Sequence, residues 1–284
     1  MVKHTIAICN YNMANTLEPS LNSIISQLDE TFEVLVVDDY STDASREILD
    51  RFDKKYDNFR YITKEHNNLA EARNTSFEEA NGEYILESLD VDDRYDNGIQ
   101  DFVEVFHQID TQLDFDFYLK GDSINMAKRS LLLNTPYRSM NLAEDADLRM
   151  RLAQKDSFIW IKHVSFWEPI GYHRSLGEKI ETIFEVKVSR FRMGTTLPSI
   201  IKWDLLERKK TSKRYPVHLL FIPFAYLAAR RRGIYEPIPG FESRYAYEEL
   251  INDKMTLSEI EKEYDITIDK TKLSEKGVSI FYEI

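Results

Sequence analysis

The chain has 284 residues, and 49 acidic against 37 basic side chains give it a formal net charge of −12 at pH 7. This balance argues against nucleic acid as a partner, because phosphate neutralisation needs clustered Lys and Arg. With 43% hydrophobic residues the composition is that of a globular protein, and the length favours one large domain or one domain with a smaller appendage.

The amino-terminal third of the chain alternates between strand and helix patterns, which is typical of βαβ units around a parallel sheet. In the first helix we expect Asn15 or Thr16 as the cap and Glu18 in the first turn. A later helix is expected to end at Asn81-Gly82, where glycine can take the left-handed conformation. The predicted elements are the strands Thr5–Cys9, Phe32–Val37, Phe59–Ile62 and Tyr84–Leu89 and the helix Leu69–Ala80.

Beyond residue 94 the alternation continues in a less regular order, and from about Lys179 the pattern is mostly helical and highly charged. This order predicts an α/β fold followed by a mostly helical carboxyl-terminal extension. The predicted elements of the middle region are the strands Phe115–Leu119 and Phe158–Ile161 and the helix Asp145–Gln154.

Polar residues follow three of the predicted strands. The first strand runs into Asn10–Asn12, the second into Asp38–Ser41 and the fourth into Asp90–Asp93. Because ligands bind beyond the carboxyl ends of the strands in an open parallel sheet, these loops are expected to converge. Three carboxylates within four residues repel one another unless a cation or protons neutralise them. Mg²⁺ and Mn²⁺ prefer carboxylate oxygens, so the pattern favours a metal site over acidic turn residues alone.

Six motifs follow one another along the chain: Asn10-Tyr11-Asn12, Val36–Asp43, Ala72-Arg73-Asn74, Asn81–Ile85, Asp90-Val91-Asp92-Asp93 and Glu144–Leu148. In this order and spacing they resemble family 2 glycosyltransferases of the GT-A fold, a Rossmann-like nucleotide-sugar-binding sheet. The segments Gly121–Lys128 and Pro136–Arg138 look most similar to archaeal members. The resemblance implies a catalytic domain over residues 1–178, with a nucleotide-binding half over 1–93 and an acceptor half over 94–178. The extension is then 179–284.

For the donor, the resemblance implies a role for each matching residue. Asp39 would hydrogen-bond the nucleotide base, Arg73 would lie near the nucleotide, and Asp90 would contact ribose or sugar. Mn²⁺ or Mg²⁺ on the diphosphate would be coordinated by Asp92 together with Asp90. The other matching positions are Asn10, Tyr11 and Asn12 in the loop under the base, and Asp93, which extends the acidic motif.

For the acceptor, Asp145 matches the general base that deprotonates the incoming hydroxyl, and Glu144 is its acidic neighbour. His173 is either a metal or phosphate contact or a structural histidine. Trp160 and Trp167 either stack on an acceptor sugar or belong to the core.

The chain departs from the family pattern at two turns. It has Tyr40 and Ser76 where the family usually has glycine. The approach of the nucleotide near these turns is therefore expected to differ.

The resemblance implies a metal-dependent inverting glycosyltransferase that uses a UDP- or GDP-linked sugar. The expected acceptor is a hydroxyl of a lipid-linked or surface glycan. A sugar-1-phosphate nucleotidyltransferase is an alternative, but it expects a Gly-rich basic loop after the first strand, which Asn10–Thr16 does not offer. A catalytically degenerate nucleotide-sugar-binding protein is a further alternative. A glycoside hydrolase would not explain the base-binding and metal motifs.

The segment 215–232 is the most hydrophobic stretch of the chain and has basic residues on both sides. It is either an interfacial helix on anionic lipid, near a lipid-linked acceptor, or a helix that packs on the protein. The single cysteine, Cys9, and the lack of a signal-peptide pattern favour a cytoplasmic setting. Membrane contact would then be with the inner face of the cell membrane.

Overall fold

The computed structural model describes residues 2–171, 175–208 and 215–283, and within these ranges the chain forms two compact units. The first unit comprises residues 1–136, 157–172 and 254–284, and the second comprises 137–156 and 173–253. The two compact units therefore do not coincide with the domains that the motifs imply, whose boundary lies near residue 178. That functional boundary stays a prediction.

A mixed sheet forms the centre of the first unit. In the described part of the chain it has seven strands in the order β3-β2-β1-β4-β7-β6-β8. Strands β3, β2, β1 and β4 are parallel neighbours, whereas β7 is antiparallel to both β4 and β6. The strands are β1 (His4–Asn10), β2 (Phe32–Asp38), β3 (Phe59–Thr63), β4 (Tyr84–Glu87), β6 (Tyr118–Lys120), β7 (Asn125–Lys128) and β8 (Phe158–Trp160), with β5 (Asp93–Tyr95) and β9 (Trp167–Pro169) forming a separate antiparallel pair. The predicted α/β class is confirmed.

Helices connect the parallel strands: α1 (Ala14–Ile25), α2 (Ser45–Lys55) and α3 (Leu69–Glu79), followed by α4 (Ile99–Asp110) and α5 (Arg129–Asn134). The predicted start of α1 is wrong. Met13 occupies the cap position and no acidic side chain lies in the first turn of α1 as described. The helix begins earlier because the Asp43 Oδ2 carboxylate oxygen, from the next loop, accepts from the free Ala14 N–H at 2.9 Å.

Gly82 has a different role from the one predicted. Helix α3 ends at Glu79 with an extended Ala80, and Gly82 is not among the left-handed glycines of the described residues. A Cβ atom at Gly82 would lie 2.7 Å from the backbone nitrogen of Thr5. Glycine is required here because the chain passes directly against β1.

The last thirty residues belong to the core of the first unit. They form α11 (Leu257–Glu263), a 3₁₀ turn (Lys270–Lys272) and α12 (Glu275–Tyr282). Leu257 and Phe281 are fully buried, and the ring of Phe281 lies 6.4 Å from that of Phe102 on α4. Burial of these side chains on the helical layer of the sheet removes apolar area from water.

The second unit is helical in its described part. Its helices are α6 (Glu144–Ala153), α7 (Leu176–Arg192), α8 (Leu197–Trp203), a π-helical turn (Asp204–Arg208), α9 (Tyr215–Arg232) and α10 (Arg244–Asn252). Ile222, Ala225 and Ala229 of α9 pack on Val188 and Phe191 of α7. Among the described residues, none of the helices has the length and apolar character required to cross a membrane.

Candidate functional site

A buried hydrogen-bond network joins the carboxyl ends of β1 and β2. Asn10 and Asp38 are register partners, and Asn10 Nδ2 donates to Asp38 Oδ1 at 2.7 Å and to Ser41 Oγ at 3.1 Å. Asn10 is only 3% exposed, and among the described residues its Oδ1 atom has no hydrogen-bond donor. A buried acceptor without a donor is costly. This atom is therefore suited to accept a hydrogen bond from a ligand.

The loops after β1 and β2 are bonded to each other through Asn12. Its Oδ1 atom accepts from the backbone N–H of Thr42 at 2.8 Å, and its own N–H donates to Ser41 Oγ at 2.9 Å. Tyr11 beside it is 59% exposed. Asn12 thus shapes the loop, whereas Tyr11 presents an aromatic ring.

Tyr40 adopts a left-handed backbone with φ of 52°. This conformation favours glycine and is uncommon for a bulky residue. Tyr40 thus has the backbone conformation that the family's usual glycine would take, with some strain. Its aromatic side chain is exposed. Ser76, the other departure, is buried inside α3 and bonds to the carbonyl of Arg73 at 2.7 Å.

Asp39 is oriented by a histidine that the motifs did not single out. Its Oδ1 atom accepts from the backbone N–H of His66 at 2.7 Å and lies 3.3 Å from His66 Nδ1. His66 Nε2 lies 3.0 Å from Thr75 Oγ1. The Asp39 side chain is 26% exposed, so its carboxylate is held in place and still reachable by a ligand. His66 follows β3 without a local pattern, and only the fold brings it to Asp39.

Charged groups from four elements converge around the end of β1. Arg73, Glu87, Asp90 and Asp39 all act electrostatically on the thiol of Cys9. Burial raises the pKa of that thiol to about 12, so Cys9 stays protonated and inert at neutral pH. Asp39 and Asp90, from two of the loops that were expected to converge, are thus both within electrostatic range of Cys9.

The acidic cluster consists of Asp90, Asp92 and Asp93, and one ligand oxygen from each lies within 4.8 Å of the others. Burial, together with the charges of Asp92 and Asp90, raises the pKa of Asp93 to about 7. Carboxylate oxygens at this spacing are the ligands that Mg²⁺ and Mn²⁺ prefer. The donor set therefore fits a hard divalent cation, which would relieve the repulsion.

Backbone contacts hold this cluster in position. The N–H of Asp90 donates to the Tyr95 hydroxyl at 2.8 Å, and the carbonyl of Asp92 accepts from the Ile170 N–H at 2.8 Å. Asp93 pairs with Pro169 in the β5–β9 ribbon. Strand β5 was not predicted, because the three residues Asp93-Arg94-Tyr95 are too few to form a hydrophobic pattern.

Glu87 and Asn125 form a second buried polar pair next to the cluster. They are register partners on β4 and β7, and Asn125 Nδ2 donates to Ser88 Oγ at 2.7 Å. The Tyr118 hydroxyl donates to Glu87 Oε1. Asn125 is fully buried, and within the described ranges its Oδ1 has no donor. Neither residue was predicted, since a lone polar residue within a strand has no distinctive spacing.

Asp145 and Glu144 lie at the start of α6, in the second unit. Asp145 Oδ1 accepts from the backbone N–H of Ala146 at 2.7 Å, and its Oδ2 forms a salt bridge of 2.6 Å with Arg149. Its side chain is 36% exposed, whereas Glu144 is buried. Asp145 is therefore the more accessible of the two carboxylates.

The remaining predicted residues are His173, Trp160 and Trp167. His173 lies outside the described residues. Trp160 is 8% exposed, with Lys254 Nζ 4.5 Å from its ring, which favours the core interpretation. Trp167 is half-buried on β9, packs against the main core, and its Nε1 donates to Asp122 Oδ2 at 3.1 Å.

Solved structures with a similar fold include glycosyltransferases. The chain superposes on S. aureus TarS in complex with UDP-GlcNAc with a TM-score of 0.55, 15% identity and coverage of 92% of each chain. It superposes on the mannosyltransferase PcManGT from Pyrobaculum calidifontis, in complex with GDP-Man and Mn²⁺, with a TM-score of 0.54 and 16% identity over 93% of this chain and 82% of that one. At these identities the likeness shows the fold alone, and the predicted GT-A fold is confirmed.

Sequence relatives agree with the fold. The chain is 38% identical over 106 residues to the glycosyltransferase GlyA of Streptococcus pneumoniae, a match that covers 37% of this chain and 15% of GlyA. The chain spans well under half the length of the first curated relatives it matches. These relatives are bacterial, so the expected closer likeness to archaeal members finds no support in them. Residues 5–152, more than half of the chain, match the sequence model of the family described as "Glycosyl transferase family 2". The chain therefore belongs to glycosyl transferase family 2.

Proposed function

We propose that the chain is a metal-dependent, inverting glycosyltransferase that transfers a sugar from a nucleotide-diphosphate donor to a hydroxyl acceptor. Family membership supports the class of reaction. The observation that most strongly supports the donor is the cluster of Asp90, Asp92 and Asp93. Asp39 and Arg73 act electrostatically on Cys9, as Asp90 does.

The donor nucleotide is bound at the ends of β1 and β2. Asp39, held by His66, accepts a hydrogen bond from the base, and the buried Oδ1 atom of Asn10 offers a second acceptor. Tyr11 is exposed and can stack on the base. Arg73 contributes positive charge for the diphosphate. UDP and GDP are both candidates, since each carries N–H donors on its base.

Asp90 and Asp92 would hold Mn²⁺ or Mg²⁺, with Asp93 beside them. When bound, the cation neutralises charge that develops on the departing diphosphate.

Asp145 acts as the general base. As the acceptor oxygen forms its bond to the anomeric carbon, Asp145 takes the hydroxyl proton, and the bond from that carbon to the diphosphate oxygen breaks. Attack from the face opposite to the leaving group inverts the anomeric configuration. The salt bridge with Arg149 and the N–H of Ala146 hold the carboxylate in position.

The alternative functions have less support. A nucleotidyltransferase needs backbone donors in a Gly-rich loop after the first strand, whereas here Asn12 joins that loop to Thr42. A catalytically degenerate binding protein would keep nucleotide binding and lose transfer, and the experiments below distinguish it.

The acceptor is lipid-linked in this proposal, and α9 contacts the inner face of the cell membrane. Leu220, Phe224 and Leu227 of α9 are 64%, 59% and 59% exposed, although the opposite side of the helix is buried. The helix ends in three arginines. Apolar side chains with basic residues beside them suit an anionic bilayer surface. Co-sedimentation with vesicles containing an anionic lipid should fall for Leu220→Ser/Phe224→Ser, and equal sedimentation of this variant would refute the contact.

Calorimetric titration of UDP and GDP tests the donor site. With Mn²⁺ we expect one nucleotide to bind, and we expect EDTA or Asp92→Asn to weaken that binding. Asp114→Asn, which removes an exposed acid of the same unit, is the matched control. Metal-independent binding, or no binding of either nucleotide, would contradict the donor assignment.

Transfer is tested separately. Asp145→Asn should abolish sugar transfer and leave nucleotide binding unchanged, and NMR of the product should show the inverted anomer. Transfer by the variant would refute the role of Asp145, and a retained anomer would refute inversion.

A further inference from the structure

A cavity in the second unit has an excess of positive charge. It lies between α7, α8, the π-helical turn, α9 and α10 and has a volume of about 260 Å³. Its lining includes the cations Lys187, Arg190, Arg208 and Arg244, and Asp204 is the acid among the described lining residues.

The nearby acids do not neutralise this charge. Asp204 is 1% exposed and is shared between Lys187 Nζ and Arg208 Nε, the latter at 2.9 Å. Arg244 pairs with Glu248 through Nη2. Among the described lining residues and their ion-pair partners, four cations face two carboxylates. Arg190 is also attracted by Asp145, but the Asp145 carboxylate already forms a salt bridge with Arg149.

One guanidinium group of the cavity has hydrogen-bonding capacity available for a ligand. The Nη1 atom of Arg244 is buried and, within the described residues, has no hydrogen-bond partner. Arg190 is 9% exposed and stacks on Tyr247, with its guanidinium carbon 4.1 Å from the ring centre. A buried donor without an acceptor is costly, and an oxyanion in the cavity would satisfy Arg244 Nη1.

The pKa shifts of the basic residues in the cavity are consistent with a site that favours a bound anion. Burial, reinforced by the charge of Arg190, lowers the pKa of Arg244 to about 10. Burial likewise lowers the pKa of Lys187, and burial with the charges of Arg208 and Lys187 lowers the pKa of His218 to about 4. Burial is the first cause in each case and neighbouring cations add to it, so a bound anion would favour the charged forms of these groups.

We propose that this cavity is a binding site for the phosphate group of a small ligand. Guanidinium groups bind phosphate oxygens through paired, charge-assisted hydrogen bonds. The volume equals that of about nine water molecules at about 30 Å³ each, which leaves room for a small organic portion next to the phosphate. Ile200 and Trp203 provide an apolar wall for that portion. Every lining residue of the cavity belongs to the second unit, whereas the residues proposed to bind the donor belong to the first.

Binding of inorganic phosphate, measured by calorimetry in EDTA at constant ionic strength, tests the site. We expect phosphate to bind and to raise the melting temperature more than chloride does. Arg244→Gln should weaken phosphate binding by about tenfold or more, because it removes a charge-assisted hydrogen bond. Arg230→Gln, which changes an exposed arginine of α9 outside the cavity lining, should bind as the unaltered protein does.

Additional variants and ligands distinguish the possible outcomes of the phosphate titration. If Arg244→Gln does not fold, Arg208→Gln carries the same expectation, since its side chain is 28% exposed and less integral to the core. Asp92→Asn should leave phosphate binding unchanged, which separates this site from the donor site. Tighter binding of phenyl phosphate than of inorganic phosphate would identify a phosphate ester as the ligand, and equal binding would identify free phosphate. A melting temperature that responds equally to phosphate and chloride, or equal affinity in all variants, would overturn the proposal.

Discussion

Replacing Asp92 by asparagine should have opposite effects on stability with and without a divalent cation. The ligand oxygens of Asp90, Asp92 and Asp93 lie within 4.8 Å of one another. Two unit charges at that separation repel by about 0.9 kcal/mol in water-like surroundings, and by more when partly buried. Asp92 faces two such neighbours, so its neutralisation should raise the free energy of unfolding by about 1 to 2 kcal/mol in EDTA.

With Mn²⁺ the order should reverse. A cation at one hundred times its dissociation constant stabilises the folded state by about 2.7 kcal/mol, and the variant loses most of that gain because it lacks a ligand. The assay is urea unfolding at pH 8, above the raised pKa of Asp93, with EDTA or with Mn²⁺. Asp114→Asn serves as the control and should change neither value.

Two results would refute this reasoning. If Asp92→Asn were less stable in EDTA, the carboxylates would not be a mutually repelling cluster. If Mn²⁺ stabilised both proteins equally, the cation would not bind through Asp92.

Three further predictions concern the first unit. Burial lowers the pKa values of His4 and His107, whose Nε2 atoms are 2.8 Å apart, from 6.5 to about 4. The folded state therefore binds fewer protons than the unfolded state, and the stability present above pH 6.5 is lost as the pH falls towards 4, by about 2 kcal/mol or more at pH 5 for the pair. The urea midpoint of His4→Phe/His107→Phe should fall less between pH 7 and pH 5 than that of the unaltered protein, and identical slopes would contradict this. Gly82→Ala should lower the free energy of unfolding by about 2 kcal/mol or more, because the added Cβ would clash with β1. The control Gly240→Ala, at φ +85° in open space, should lower it by about 1 kcal/mol. Equal losses of stability in thermal unfolding would refute the close approach of Gly82 to β1. Phe281→Ala should cost about 3 to 5 kcal/mol, measured by urea unfolding, and a loss below 1 kcal/mol would show that the last helix is not part of the core.

Strand ends and the acidic motif could be predicted because their signals are local. A run of β-branched and aromatic residues determines a strand from its immediate neighbours, and β1 to β4 begin or end within two residues of the predicted positions. Asp90, Asp92 and Asp93 are adjacent in sequence, so their proximity follows from the chain itself. Convergence of the loops followed from the parallel topology.

Contacts between distant segments could not be predicted in this way. Asp39 is oriented by His66, 27 residues further on, and Glu87 is bonded by Asn125, 38 residues further on. Neither His66 nor Asn125 lies in a sequence pattern that identifies it as a partner, because the register of the sheet decides which side chains meet. For the same reason, the cap of α1 comes from Asp43 rather than from the local residues Asn15 or Thr16.

The sequence by itself determined the α/β class, the positions of the parallel strands and the family, because periodicity and motif order are properties of the linear chain. Only the tertiary structure decided that residues 254–284 complete the core of the first unit and that Lys187, Arg190, Arg208 and Arg244 enclose one cavity. On their separate helices these basic residues look like ordinary solvated charges. Their shared burial, and the charge imbalance that results, exist only once the helices pack together.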